Sequence, residues 1–531
     1  MDVLAQISTR RTPQTMPADP GQVTNSAGGY VLELDDVARL RRFLTLGVDG
    51  GTYYASARDL ALDNAAVLQR LADADPETLV ATIVDVSTRG AAPRQQPALF
   101  ALAYAASVPA ASQAALAALP LVARTGSHLF LFAGYVEQFR GWGRGLRRAV
   151  GDWYLRKEPD ALAYQAVKYR QREGWSHRDL LRLAHPVTDA AALKDTFEWI
   201  VRGQVGEAAP RLIEGFVRAQ AASDGAAWAG LVRDFGLTWE MLPDAALGEA
   251  RVWDALLDVG MPQTALMRQL PRLTRLGLLP DLGGRTEEVC AQLTGTDRLR
   301  TARVHPVNVL VAQRTYASGR SARGAGVWQP SRRVVDALDA AFYAAFGAVQ
   351  PSGARTLLAV DVSASMGWQA SGLGITAREA SAALALVQLA TEPAASAVGF
   401  TSQLVGGSQG SALEPLTISP RQRLDDALRV VDEMPMGGTD CALPMVYARE
   451  QRLEVDTFVV YTDNETWAGE IHPHQALRDY RDASGIPAKL VVVGMTSTGF
   501  SIADPSDAGM LDIAGFDAAV PSLITEFARG L

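Results

Sequence analysis

From Val31 to Phe346 the chain carries apolar residues at i, i+3, i+4 spacing, segment after segment, with almost none of the Val/Ile alternation of strands; near Pro351-Ser352-Gly353 this gives way to short β-rich runs alternating with helical ones. That switch constrains the fold more than any other feature. A long succession of amphipathic helices must bury its stripes against other helices, whereas β/α alternation specifies a sheet covered by helices. Helical spacing is clear at 59–71, 99–106, 114–121, 145–153 and 334–346, and Ser176-x-x-Asp179 ahead of Leu180-Leu181 reads as a capped helix start with Trp175 as its staple. No strict period recurs, so any repeat of helix pairs is degenerate. After the linker, strands are expected at 356–361, 396–400, 456–462 and 489–494, and helices at 377–390, 422–432, 441–451 and 474–484. The fold class that follows is multidomain: an all-α stack over 29–350, then a doubly wound α/β domain over 351–531, preceded by a flexible tail over 1–28.

Composition and length exclude several alternatives. A chain of 531 residues is too long for one ordinary core, and 48% hydrophobic against 20% charged residues is a globular balance. No apolar run reaches the roughly 18–20 residues needed to span a bilayer. The alanine-rich stretch 97–123 is interrupted by Ser107, Pro109, Ser112 and Gln113 and reads as two packed helices. The N-terminus lacks the apolar core of a signal peptide. Cys290 and Cys441 lie in different regions and read as reduced thiols, so a cytoplasmic protein without a membrane partner is expected. The net charge of −8 conceals an asymmetry. Residues 351–531 hold 11 basic and 22 acidic side chains, which leaves +3 for residues 1–350, and 140–182 alone holds 11 basic against 5 acidic. An acidic module joined to a locally basic one is the pattern of a polyanion-binding domain attached to something else.

The α/β part carries three pieces that fall at strand ends or glycine turns: Asp361-Val362-Ser363-Ala364-Ser365, Gly437-Gly438-Thr439-Asp440 and Tyr461-Thr462-Asp463-Asn464-Glu465. Doubly wound sheets bind ligands at the C-terminal ends of their strands. Asp361 and Asp463 supply charge, while Ser363, Ser365 and Thr439 supply compact neutral hydroxyls. This set suits one hard divalent cation, Mg²⁺ by its preference for oxygen. Using hydroxyls limits the negative charge around the cation and leaves it able to attract a further anionic oxygen. The plainer readings are that the hydroxyls merely cap helices, or that the metal only holds the domain together.

In the helical part, Lys168-Tyr169-Arg170-Gln171-Arg172-Glu173-Gly174-Trp175-Ser176-His177-Arg178 interleaves base with aromatics. Read as a helix, Lys168 and Arg172 share a face; after Gly174, Arg178, Arg182 and His185 share the face of the next. Arg144 and Arg148, with Arg140 and Arg147, extend the basic region. Two such helices would present one surface to phosphates, with His185 bonding a phosphate or base edge and Tyr169 and Trp175 stacking on unpaired bases. The plainer reading is a solvated helix face with the tryptophans in the core.

Taken together these residues resemble the Ro autoantigen family over nearly the whole chain, as a bacterial orthologue. The resemblance rests on Leu40-Arg41-Arg42-Phe43-Leu44, Gly50-Gly51-Thr52-Tyr53-Tyr54, Ser127-His128-Leu129-Phe130, Trp142-Gly143-Arg144, Asp152-Trp153-Tyr154, Gly174-Trp175-Ser176-His177 and Asp179-Leu180-Leu181-Arg182-Leu183. It continues in Ala340-Ala341-Phe342-Tyr343, Ala359-Val360-Asp361-Val362-Ser363-Ala364-Ser365-Met366, Gly437-Gly438-Thr439-Asp440-Cys441 and Ile502-Ala503-Asp504-Pro505. It implies a ring of HEAT-like repeats, the TROVE module, closed by a von Willebrand factor A-like domain. It also implies small non-coding Y-type RNA on the outer surface and single-stranded 3′ ends of misfolded or precursor RNA in the hole. An exoribonuclease such as polynucleotide phosphorylase is the implied protein partner, in RNA quality control, maturation or decay under stress. The family's RNA contacts fall on Lys168, Arg172 and His185, and its metal ligands on Asp361, Ser363, Ser365, Thr439 and Asp463. From about 186 to 260 the sequence departs from the family pattern.

A non-catalytic RNA scaffold is therefore the leading expectation. The rivals are a metal-dependent nuclease and a metal-dependent protein-interaction module. Two-metal phosphoryl-transfer sites hold two cations ~3.5–4 Å apart. Here the ligands suit one, and Asp440, Glu465, His472 and His474 are the only nearby general-base candidates; His472-Pro473-His474 reads as a surface turn.

Overall fold

The computed structural model of the chain describes residues 11–47, 57–92, 94–302, 304–321, 325–346, 351–368, 375–402, 413–419, 422–434, 437–515 and 519–530. Gly50–Tyr54, part of the family resemblance, lies outside them. Two compact units form. One comprises Leu68–Gly90 and Arg94–Ala345, and the other combines the N-terminal segment through Val67 with Phe346–Leu531.

The first unit is built mainly of helices, with one short hairpin over 171–176. Helices Gln96–Ser107 and Pro109–Val122 occupy the alanine-rich stretch, and the first also packs against Gly126–Phe139. Further along, Gly225–Phe235 packs on Ala250–Val259, and Pro306–Ala317 on Arg332–Ala344. Caps mark the ends. Asp75 and Thr125 accept the backbone N–H groups of Thr78 and His128, and Ser176 and Asp179 form a reciprocal capping box. Gly90, Gly203 and Gly236 close helices in the left-handed conformation. The core is mostly leucine, alanine and valine, and its largest fully buried side chains include Phe130, Phe132, Trp153 and Trp253; the Trp253 indole donates to the Leu247 carbonyl at 2.9 Å. Among the described residues no helix is long and apolar enough to cross a membrane.

The chain's strands are β1 (Gln22–Thr24), β2 (Tyr30–Glu33), β3 (Gln171–Arg172), β4 (Trp175–Ser176), β5 (Thr356–Asp361), β6 (Ala395–Phe400), β7 (Leu413–Pro415), β8 (Thr457–Thr462), β9 (Lys489–Gly494), β10 (Phe500–Ser501) and β11 (Met510–Ala514). The second unit is built on a six-stranded sheet of order β11-β9-β8-β5-β6-β7, parallel except for β7 at the edge. β5 and β8 are buried along their whole length, as expected of parallel strands covered on both faces. Leu357, Ala359, Phe458, Val460, Leu490 and Val492 share one core with Met445 and Ala448 of helix Leu443–Glu450 and Leu477 and Tyr480 of helix Pro473–Ser484. The period of two sends Leu358, Val360, Val459 and Val491 to the other face. Helix Ala377–Thr391 packs there against β5, β6, Leu424–Asp432 and Val520–Arg529.

Two expectations are corrected. The N-terminal segment is not a loose tail over its described part. β1 and β2 pair antiparallel, β10 adds to β2, and Val31 enters the α/β core. Its polar side chains find buried partners more than four hundred residues away, which no local pattern announces. The helix assumed to carry both Lys168 and Arg172 ends at Lys168. Arg172 lies on β3, which turns through Glu173 and Gly174, both at positive φ, into β4.

Candidate metal centre and nucleic-acid interface

β5 and β8 are adjacent and in parallel register, Val360 opposite Tyr461, so the residues that close them emerge side by side. Asp361 ends β5. Its Oδ1 accepts the Ser363 N–H at 2.9 Å and its Oδ2 the Thr462 hydroxyl at 2.7 Å. The Ser363 and Ser365 hydroxyls lie 3.1 Å apart. Asp463 follows β8; its Oδ1 accepts the Glu465 N–H at 3.0 Å, and its Oδ2 has no partner. The Thr439 hydroxyl is likewise buried without a partner. Its loop is anchored through the backbone: Gly437 O accepts from Ala364 N at 3.1 Å, Gly438 O from Ser402 N at 2.8 Å, and Thr439 O from Trp467 N and Ala468 N at 3.1 and 3.0 Å. Gly438 is required there, since a Cβ would sit 2.7 Å from the Ser402 hydroxyl and the Trp467 ring.

All five candidate ligands are at most 3% exposed. Burial raises the Asp361 pKa. Burial, then the Asp361 charge, pushes Asp463 up to about 7, and burial with the Asp463 charge pushes Glu465 up to about 8. Arg378, itself buried, donates to the Val362 and Ser363 carbonyls at 2.9 and 3.2 Å, and its charge offsets part of the rise at Asp361. Two buried carboxylates, a vacant carboxylate oxygen and an unpartnered hydroxyl are the donor set a hard cation satisfies. Among the described residues no group of three or more His, Cys, Asp or Glu is placed to hold a metal, so a cation here depends on the hydroxyls.

Several neighbours carry no local sequence signal. Arg378 sits mid-sequence between two motifs. The carboxamide of Gln14, from the N-terminal segment, donates to Asp440 Oδ1 at 2.8 Å and accepts the Thr466 hydroxyl at 2.5 Å. Asp440 and Glu465 belong to the motifs themselves, and burial lifts Asp440 to about 6. The His472 and His474 pair is not a surface turn: both are buried. His472 caps helix Pro473–Ser484, and its ring reaches the Met16 carbonyl at 2.8 Å and the Gln22 amide at 3.1 Å.

In the helical unit, the base is distributed over four elements. Arg144 and Arg148 are exposed on helix Arg144–Leu155, and Arg148 lines a cleft of about 410 Å³ against helix Pro109–Val122. Arg178 and Arg182 are exposed on helix His177–Ala184, and His185 is exposed at its left-handed C-cap. Among the described residues none of these four arginines has a carboxylate partner. Arg170 is exposed with its guanidinium 5.5 Å from the Phe216 ring, and Arg172 is exposed 3.8 Å from Glu173. Lys168 differs from the rest. Its Nζ lies 3.4 Å from Glu240 and 3.0 Å from the Tyr164 hydroxyl, and only 10% of its side chain is exposed. Tyr169 is half-buried beside it, and Trp175 packs on Trp142 with ring centroids 5.2 Å apart.

A helical unit of paired helices and an α/β unit with an oxygen-lined strand-end site define a protein of TROVE plus von Willebrand A type. A TROVE domain model matches residues 23–223 and 231–317, and a Ro60 vWA domain model matches 355–528. Much of the stretch from 186 to 260 therefore follows the family pattern after all. Relatives include an RNA-binding protein RO60 of Deinococcus radiodurans, 44% identical over 538 residues and covering 100% of this chain and 99% of its own. An RNA-binding protein RO60 of Caenorhabditis elegans is 34% identical, covering 98% and 92%. The crystal structure of the Deinococcus radiodurans RO (RSR) protein superposes with a TM-score of 0.70 at 43% identity, over 93% of this chain and 100% of that one. The chain belongs to the Ro60 family.

Proposed function

We propose that this chain is a non-catalytic RNA-binding protein whose helical unit holds structured RNA by its phosphates, and whose α/β unit carries one divalent cation, Mg²⁺ by the hardness of its ligands. The observation that carries the reading is the set of exposed arginines at 144, 148, 178 and 182, without a carboxylate partner among the described residues, in a chain whose net charge is −8. The names of the relatives point the same way. Small Y-type RNA on this surface, single-stranded 3′ ends of misfolded or precursor RNA in a helical ring, and hand-over to an exoribonuclease in the cytoplasm are the finer reading.

The test is affinity for a structured small RNA with a single-stranded tail, measured over a salt series. Log affinity falls linearly with log salt, with a slope of roughly 0.7–0.9 per phosphate neutralised, the lower figure for single strands. The double variant Arg178→Ala, Arg182→Ala lowers both affinity and slope. Glu240→Gln, which releases Lys168 from its carboxylate, moves affinity the other way. A double variant with wild-type affinity and slope rejects this surface. Labelled RNA incubated with Mg²⁺ remains intact; cleavage that Asp361→Ala abolishes would make the protein a nuclease instead.

A further inference from the structure

We propose that Gln14 is a positioning residue for the cation site, holding together the two loops that carry Thr439 and Asp463; the inference rests on the metal reading above. Gln14 is fully buried. Its Nε2 donates to Asp440 Oδ1 at 2.8 Å and to the Ile471 carbonyl at 2.9 Å, and its Oε1 accepts the Thr466 hydroxyl at 2.5 Å and the Gly469 N–H at 3.2 Å. Its backbone is pinned as well, N–H to the Gly469 carbonyl at 2.9 Å and carbonyl from Tyr30 N at 2.8 Å.

Asp440 adjoins Thr439, and Thr466 lies three residues beyond Asp463, so one carboxamide spans both loops, as donor to the first and acceptor from the second. Only a side chain with both polarities and this length closes that gap. The space is sealed: a Cβ on Gly469 would lie 2.3 Å from Asp440 Oδ1 and 2.4 Å from Gln14 Nε2. The same N-terminal segment grips the Asp463 loop twice more. The Asn25 amide donates to the Thr466 carbonyl at 2.8 Å, and the Ala27 N–H to Glu465 Oε2 at 3.1 Å. A Cβ on Gly29 would strike the Thr466 carbonyl at 1.9 Å. Ligands held by groups behind them bind a cation in one geometry without rearranging, and losing such support weakens affinity by about 10–100-fold. The matched A-like region begins at residue 355 and the helical one at 23, so Gln14 lies outside both.

The experiment is Mn²⁺ titration of the full-length chain by calorimetry, with far-UV dichroism and the metal-free melting temperature measured alongside. Wild type takes up one Mn²⁺ and Asp361→Ala none. Gln14→Met, which keeps the volume and removes all four side-chain hydrogen bonds, binds Mn²⁺ about tenfold or more weaker with unchanged helical content. If Gln14→Met does not fold, Gln14→Asn, one methylene shorter, is titrated in its place. A variant that binds Mn²⁺ as tightly as wild type, whatever its melting temperature, makes Gln14 structural only and overturns the inference alone. Absence of binding by wild type overturns the metal reading and this inference with it.

Discussion

His177 shows how much one buried side chain commits the helical unit. It is 3% exposed, its Nδ1 lies 2.8 Å from the Tyr154 hydroxyl, and its Nε2 has no partner. Burial drives its pKa down to about 4. A histidine kept neutral when folded leaves the unfolded chain binding more protons between about 4 and 6.5, so stability is full above 6.5 and is lost as pH falls through that window. From pH 7 to pH 5 the loss is about 2 kcal/mol for this residue. The thermal midpoint of the helical unit therefore drops on acidification, and His177→Gln narrows the gap between the two pH values. An equal gap in the variant would place the acid sensitivity elsewhere. The residues that sequence made legible were of another kind. Asp361, Ser363, Ser365, Thr439 and Asp463 stand out because each sits where an apolar run or glycine turn ends. Gln14, Glu240 and Arg378 act through partners remote in sequence or on another element, and nothing adjacent to them signals it.

At the scale of elements, legibility followed burial. β5 and β9 match their expected limits because a strand covered on both faces reads as an unbroken apolar run. β7 and β11 lack such a run: β7 is a three-residue edge strand, and β11 is interrupted by Asp512, which serves Arg42. The four-residue spacing of Lys168 and Arg172 imitates a helix face where the chain forms the β3–β4 hairpin, whose own signal is Glu173-Gly174 as a two-residue turn. Gly174 at φ 78° accepts a side chain only with strain. Gly174→Val should cost about 1–2 kcal/mol in a hairpin whose β3 carries Arg172. The expected outcome is an RNA affinity reduced more than the melting temperature would suggest, read by filter binding beside calorimetry. Unchanged affinity would remove the hairpin from the interface.

At the scale of the whole molecule, chain order and structural unit disagree. The change of pattern near 351 predicts an α/β domain made of the C-terminal residues alone, yet the α/β unit also takes in the N-terminal segment. Arg42 is one such tie. Its side chain is 2% exposed, ion-paired to Asp512 on β11, and donates to the Phe500 carbonyl at 2.9 Å. It lies against Gly494 at the end of β9, where a Cβ would come within 2.6 Å of its guanidinium. Removing one member of a buried ion pair leaves the other charge uncompensated, at a cost of roughly 3–5 kcal/mol. Arg42→Ala therefore destabilises strands more than four hundred residues away. Hydrogen exchange should show protection falling in β9 and β11 while helix Pro76–Arg89, much nearer in sequence, keeps its own. Loss confined to that helix would mean that the N-terminal segment belongs to the helical unit. Loss in the two strands would mean that the α/β unit, and the cation site at its strand ends, is assembled from both ends of the chain.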